Sequence, residues 1–329
     1  MFHQFIKYLL KNQVIFALFI IASIWFVVQT REIIVSIFLS YIIMAAVLPM
    51  VEYLRKRGVN KVVAVLIPYF GIIIAIFLLI LPLVPFVANQ IQSLVTNFPK
   101  FIDRSADVFG VSINPKQIER YISTEFETFG KSAFNVTTKV FGGLFSIITV
   151  AVVSLYFLMY EDTFKRFVAN LFHKDAREKA LVTLDQINFK LGAWLRGQIQ
   201  LCVFIGLFSW IGLTILGLPY ALPLALFAGL LEVVPTIGPI LSSIPAIVIA
   251  LTISPTKAMA VVTLYVLIQA VENQILVPKV MQKAVGLNPV VVILGIMIGT
   301  NLMGISGALL AIPFISFIVV LFKSLESKN

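Results

Sequence analysis

Residues 62–87 read VVAVLIPYFGIIIAIFLLILPLVPFV, 26 positions without one charged side chain. About 20 apolar residues are enough to cross a bilayer as a helix. The run does not alternate polar with apolar, so it is not a half-buried strand. Inside hydrocarbon, backbone groups must bond within the segment, and a helix is how a single apolar stretch achieves that. The stretch reads as a transmembrane helix and sets the pattern to look for elsewhere.

Similar runs occupy Val14–Gln29, Ile33–Val51, Val140–Tyr160, Leu201–Leu218 and Met259–Val277. Two further apolar regions are broken. Ala221–Val234 and Ile237–Thr252 flank Pro235, Gly238 and Pro239. Val290–Gly299 and Ile305–Phe322 flank Asn301 and Gly304. Each broken region is expected to return the chain to the side it came from. The expected fold is therefore all-α, a polytopic transmembrane bundle of about eight segments with two Gly/Pro-broken hairpins.

Composition agrees. Hydrophobic residues make up 60% of the 329 positions, charged residues 12%, and mean hydropathy is +1.03. A soluble domain carries roughly 25% charged residues. These values exclude a soluble enzyme, a disordered chain and a secreted disulfide scaffold. The net charge of +10 comes from basic residues in short loops beside apolar runs, which fits cytoplasmic loops better than nucleic-acid binding. Cys202 is the single cysteine, inside an apolar run, and reads as a small hydrophobe. The two histidines, His3 and His173, lie outside the apolar runs, so no metal centre or cofactor is expected in the membrane. Lys7 and Lys11 precede the first run, which reads as a retained helix rather than a removed leader.

The loops set an expected orientation. Lys7 and Lys11, and the cluster Arg55, Lys56, Arg57 and Lys61, should both be cytoplasmic, with a tight outer turn at Arg31 and Glu32. Segment 88–139 holds six basic and five acidic residues, fitting amphipathic helices on the outer face. Segment 161–196 holds seven basic and five acidic residues and fits the cytoplasm. Within it Leu181, Leu184, Ile187, Leu191, Trp194 and Leu195 form a stripe at helical steps. Both termini are expected on the cytoplasmic side of the plasma membrane. The chain divides into 1–87 with three spans, 88–139 outside, a fourth span at 140–160, a cytoplasmic amphipathic helix at 161–198, and a C-terminal core at 199–329.

A charge near mid-bilayer costs on the order of 3 kcal/mol and marks a pathway or a partner. Glu232 ends the first broken piece. Glu272 lies late in the next span, with Gln269 three residues earlier and Asn273 beside it, a spacing that suggests one polar helical face. Proline and glycine at 235, 238 and 239 free backbone groups, which membrane interiors tolerate only in protein or beside a cavity. Pro223, Gly229 and Gly238 align with Pro289, Gly295 and Gly304 at a single offset, which suggests two span-plus-hairpin units of opposite topology. A plainer reading places Glu272 at the interface with Lys279, and Glu232 at a water-exposed tip. Gln198 and Gln200 open the fifth run and read as interfacial or pathway residues. The Gly304-Ile-Ser-Gly307 stretch lacks the intramembrane histidine that a serine protease needs, so it reads as a packing surface.

Three motifs carry a family resemblance: Leu195-Arg-Gly-Gln198, Gly217-Leu-Pro-Tyr-Ala-Leu and Glu232-Val-Val-Pro-Thr-Ile-Gly-Pro239. Glu272-Asn273, Pro278-Lys279-Val-Met281, Val285-Gly-Leu-Asn288-Pro289 and Gly304-Ile-Ser-Gly-Ala-Leu-Leu-Ala-Ile-Pro313 continue it. In that order the motifs resemble the autoinducer-2 exporter family of bacterial membrane proteins. Asn288 departs from the pattern, where relatives often carry histidine. The resemblance implies a plasma-membrane transporter that forms homo-oligomers, with export of a signalling molecule or sodium/proton antiport as its activity. The reading reached is a secondary transporter of a small polar solute or monovalent cation, not an enzyme, with Glu232 and Glu272 as ion carriers. The alternative is a structural or regulatory membrane protein acting through its outer and cytoplasmic amphipathic helices.

Overall fold

A computed structural model of the chain describes residues 13–79, 85, 146–234, 237–281, 286 and 289–326. The described residues contain helices and turns and no strands. Among the described residues five helices are long and apolar enough to cross a membrane, or six if one bent pair counts as a span; these alone do not make up the eight segments expected. Large apolar side chains such as Ile215, Leu302 and Met259 lie exposed along these helices, as lipid-facing residues do.

Helix α1 covers Gln13–Gln29 and α2 covers Arg31–Lys56. Only Thr30 separates them, and bonds from Thr30 N to Phe26 O and from Ile34 N to Thr30 O keep the helical pattern on both sides. The chain bends here instead of reversing. The tight outer turn expected at Arg31 and Glu32 is not formed: both residues lie in the first turn of α2, and Thr30 keeps a near-helical backbone at φ −98° and ψ 8°. Helix α3, Lys61–Leu79, packs on α2 through Met44, Val47, Val51, Ala64, Val65 and Tyr69. The expected outer segment 88–139 lies outside the described residues.

Helix α4, Ser146–Met159, meets α5, Glu161–Asn170, at a 74° bend. Lys165 of α5 pairs with Glu161 at 2.6 Å and with Asp185 at 2.8 Å. The second pair pins α5 against α6, Arg177–Ile215. The amphipathic stripe and the fifth apolar run, read as separate segments, form this single 39-residue helix. Such a helix spans about 58 Å, well beyond the hydrocarbon thickness, so its first half extends out of the membrane.

Helix α6 is the axis of the fold. On one side α2 crosses it where Gly192 meets the backbone of Ala45, and Arg196 donates to the carbonyls of Ala45 and Ala46. Tyr41 of α2 also donates to Asn188 Oδ1. On another side lies the first broken region, α7, Ala221–Leu231, and α8, Ile237–Ile253. Eleven residues span only about 16 Å, half the hydrocarbon thickness, so α7 is too short to cross a membrane. Helix α9, Pro255–Val271, follows and packs on α8 through Val261, Ala258, Ala250 and Ala246.

The last helix, α11, spans Pro289–Glu326, but Gly304 sits at φ 60° and ψ −139°, outside any helical region. A Cβ on Gly307 would strike the Gly299 carbonyl, and one on Gly295 would strike Ile315. Residues on either side of Gly304 therefore face each other, and α11 is a hairpin with arms 289–303 and 305–326. The offset seen in the sequence has a structural counterpart. Pro223 and Pro289 sit in first helical turns, Gly229 and Gly295 in close-packed arms, and Gly238 and Gly304 at hairpin tips. Gly304→Ala is expected to lower stability by about 1–3 kcal/mol through backbone strain, since open space surrounds the position and no clash arises. Thermal unfolding of the purified protein in detergent checks this.

Candidate functional site

The site forms where the first hairpin tip meets α6 and α9. Glycine makes the approach possible. A Cβ on Gly229 would lie 2.7 Å from the Cys202 carbonyl and 3.2 Å from the Gly206 Cα. With hydrogen in that place, α7 slides against α6 and carries its C-terminal residue, Glu232, to Gln198. Gln198 Nε2 donates to the Glu232 carbonyl at 2.7 Å. Gly238 lies against the Leu231 carbonyl and the Glu232 amide, which folds the tip tightly enough to close α7 onto α8. Gly238 N also bonds Val234 O at 2.9 Å.

The opposite wall comes from the end of α9. There the helix widens into a π turn over Glu272–Leu276 and continues as α10, Val277–Met281. Such turns insert an extra residue and recur at functional sites. Here Glu272 lies inside, 1% exposed, and Asn273 outside. Gln269 Nε2 donates to Glu272 Oε2 at 3.1 Å. The Glu232 and Glu272 carboxyl groups interact directly, and Glu232 is 0% exposed. Apart from the Glu272 carboxyl, neither Glu232 carboxylate oxygen has a hydrogen-bond partner among the described residues. Cys202 lies one turn beyond Gln198 on α6, within electrostatic reach of both acids. Tyr265, a turn or two before Glu272, donates to Ser242 O at 3.5 Å and ties α9 to α8.

Of the residues singled out in the sequence, Glu232, Glu272, Gln269 and Gln198 come together, with Gly238 and Pro239 buried at the tip beside them. Asn273, Pro278 and Lys279 are exposed. Asn301 and Gly304 are exposed at the tip of the other hairpin, which packs on α2 and the first half of α6 through Leu310 and Val320. Pro235 and Asn288 lie outside the described residues, and Pro289 opens α11. Both acids are buried within the protein, so the plainer reading of Glu232 as a water-exposed tip residue fails. In sequence Gln198 reads as an interfacial or pathway residue; its contact with Glu232 joins residues 34 apart, which no local pattern signals. The π turn was likewise not anticipated. Among the described residues no group of three or more His, Cys, Asp or Glu side chains could hold a metal ion.

Two buried carboxyl groups facing each other cannot both be charged without a cation or a proton between them. The arrangement can therefore take up and release a proton, or a cation in its place.

Comparison with known proteins adds the following. A model of a family described as AI-2E family transporter matches residues 14–327. The chain is 28% identical to "Putative transport protein YrrI" of Bacillus subtilis (strain 168), over 88% of this chain and 85% of that protein. It is 24% identical to "Putative transport protein YueF" of the same strain, over 95% and 90%. It is 23% identical to "Putative transport protein YhhT" of Escherichia coli (strain K12), over 87% and 82%.

Proposed function

The chain belongs to the AI-2E transporter family, and from that premise we propose that it is a secondary transporter of the plasma membrane. It moves a small polar solute, of the autoinducer-2 kind, or a monovalent cation, outward and coupled to an ion gradient. Glu232 and Glu272 carry the coupling ion, and Gln269 and Gln198 hold the two acids in place. The observation that carries this reading is the pair of buried, facing carboxyl groups held between a hairpin tip and a π turn. Ionisable groups in the membrane are expensive and are kept where they do work. The cytoplasmic side is the one bearing Arg55–Lys61, the 161–196 segment and Lys323. Homo-oligomeric assembly, implied by the family resemblance, belongs to the same reading.

The test is proton flux in proteoliposomes under an imposed sodium gradient. The double variant Glu232→Gln, Glu272→Gln is expected to lose flux by about a hundredfold, since neither position can then bind a proton or balance a cation. Equal flux in the variant and the natural protein would remove the carboxylate mechanism.

A further inference from the structure

Most buried polar side chains among the described residues are satisfied. Ser40, Ser242 and Ser316 donate to backbone carbonyls, Ser154 bonds Tyr69, Thr183 donates to Lys179 O, and Asn188 accepts from Tyr41. The atoms left without a partner among the described residues are Trp194 Nε1, Gln198 Oε1, Ser209 Oγ and, apart from the Glu272 carboxyl, the two Glu232 oxygens. Trp194, Gln198 and Ser209 all belong to α6, and Glu232 is bonded to Gln198. At about 100° per residue, positions 194, 198 and 209 fall within roughly 60° of one another around the helix. They extend along about 22 Å of its axis. The unsatisfied atoms thus form one file on one face.

A buried donor or acceptor without a partner costs stability, and native structures keep such groups where a ligand or an ordered water pairs them. We propose that this face of α6, from Trp194 past the Glu232–Glu272 pair to Ser209, is the wall of the permeation route. The deduction rests on the transporter reading and adds to it a path and a chemical class of occupant. Trp194 Nε1 only donates, Gln198 Oε1 and ionised Glu232 only accept, and Ser209 does both. A bare cation would satisfy the acceptors and leave the indole unpaired. The file suits water together with a small hydrophilic solute that offers donors and acceptors, or an ion that travels with part of its hydration. The route also links the two hairpins. Trp194 packs with Leu310 and Val320 of α11, while Gln198 holds the tip of α7.

Hydroxyl-radical footprinting of the full chain in phosphatidylethanolamine/phosphatidylglycerol nanodiscs tests the path without any transport assay. Radicals formed in internal water oxidise the side chains beside it. Trp210 provides the control, since it lies about 160° around α6 from Trp194 and is exposed on the outer apolar surface. Trp194 is expected to oxidise about fivefold faster than Trp210 despite being 1% exposed. Equal or slower oxidation of Trp194 overturns the proposal. A second arm uses Trp194→Phe and Ser209→Ala, which remove one polar atom each and keep most of the shape. Both are expected to unfold at the same or a higher temperature while proton flux drops about tenfold. Higher stability with unchanged flux would mark the atoms as bystanders and overturn the route. If Trp194 is hydrated but the natural protein shows no flux, the file stands and the transporter reading fails. If flux depends on the two acids while Trp194 is dry, only the file fails.

Discussion

Gly192→Val is expected to destabilise the protein by about 3 kcal/mol or more, enough to cost most of the folded material at physiological temperature. A Cβ at this position would meet the carbonyl oxygen of Ala45 and lie 2.6 Å from its carbonyl carbon. Both are backbone atoms inside a helix, so neither can rotate away. Helices α2 and α6 would have to separate, which opens the contacts of Ile42, Ala45, Leu191 and Trp194 and loosens the Tyr41–Asn188 and Arg196–Ala46 bonds. Gly212→Ala is the comparison. Its Cβ would press on the methyl end of Leu264, which can turn to another rotamer, so a loss within about 1 kcal/mol is expected. Thermal unfolding and monodispersity in detergent separate the two cases. Equal effects would mean that α2 does not pack on α6 through this crossing.

That crossing also illustrates how much of the architecture could be read in advance. The helical fold, the interruption near Gly304 and the break around residues 232–238 follow from local composition, because bilayer length and backbone satisfaction act on contiguous residues. The acids at 232 and 272 stood out for the same reason: each contradicts the apolar run around it. What stayed hidden depends on contacts between distant segments. Gln198 meets Glu232 only because Gly206 and Gly229 let two helices touch, and neither glycine carries a mark of that role in sequence. Continuity of α6 through residue 198 was masked by a change in composition from amphipathic to apolar, which alters the surroundings of a helix without breaking it. The outer turn at Arg31 and Glu32 was inferred from charge parity, whereas backbone bonds on both sides of Thr30 decide the matter locally. Helical spacing joined Gln269 and Glu272, while Asn273, about 100° further round the helix from Glu272, is exposed.

The single substitution Glu232→Gln should separate function from stability. The carboxyl group is fully buried, faces a second acid and has no hydrogen-bond partner other than that acid among the described residues. Burial and the facing acid both work against a charge here, so a group that must ionise in this position costs stability, and a neutral group of the same shape relieves that cost. The amide also brings N–H donors toward Glu272, turning an acid facing an acid into a donor facing an acceptor. Stability is expected to rise by about 1–3 kcal/mol, read as a higher unfolding temperature. On the transporter reading, flux is expected to drop by about a hundredfold in the same variant, because one member of the ion-carrying pair no longer titrates. The opposite signs distinguish the mechanisms. A structural carboxylate would lose stability when neutralised, since its partners would be left unpaired. An idle one would leave flux unchanged. Only a group retained at a folding cost for the sake of its charge gives a protein that is harder to unfold and unable to carry its ion. A lower unfolding temperature in Glu232→Gln would therefore count against the site even if flux disappeared, because loss of structure would then account for the loss of transport.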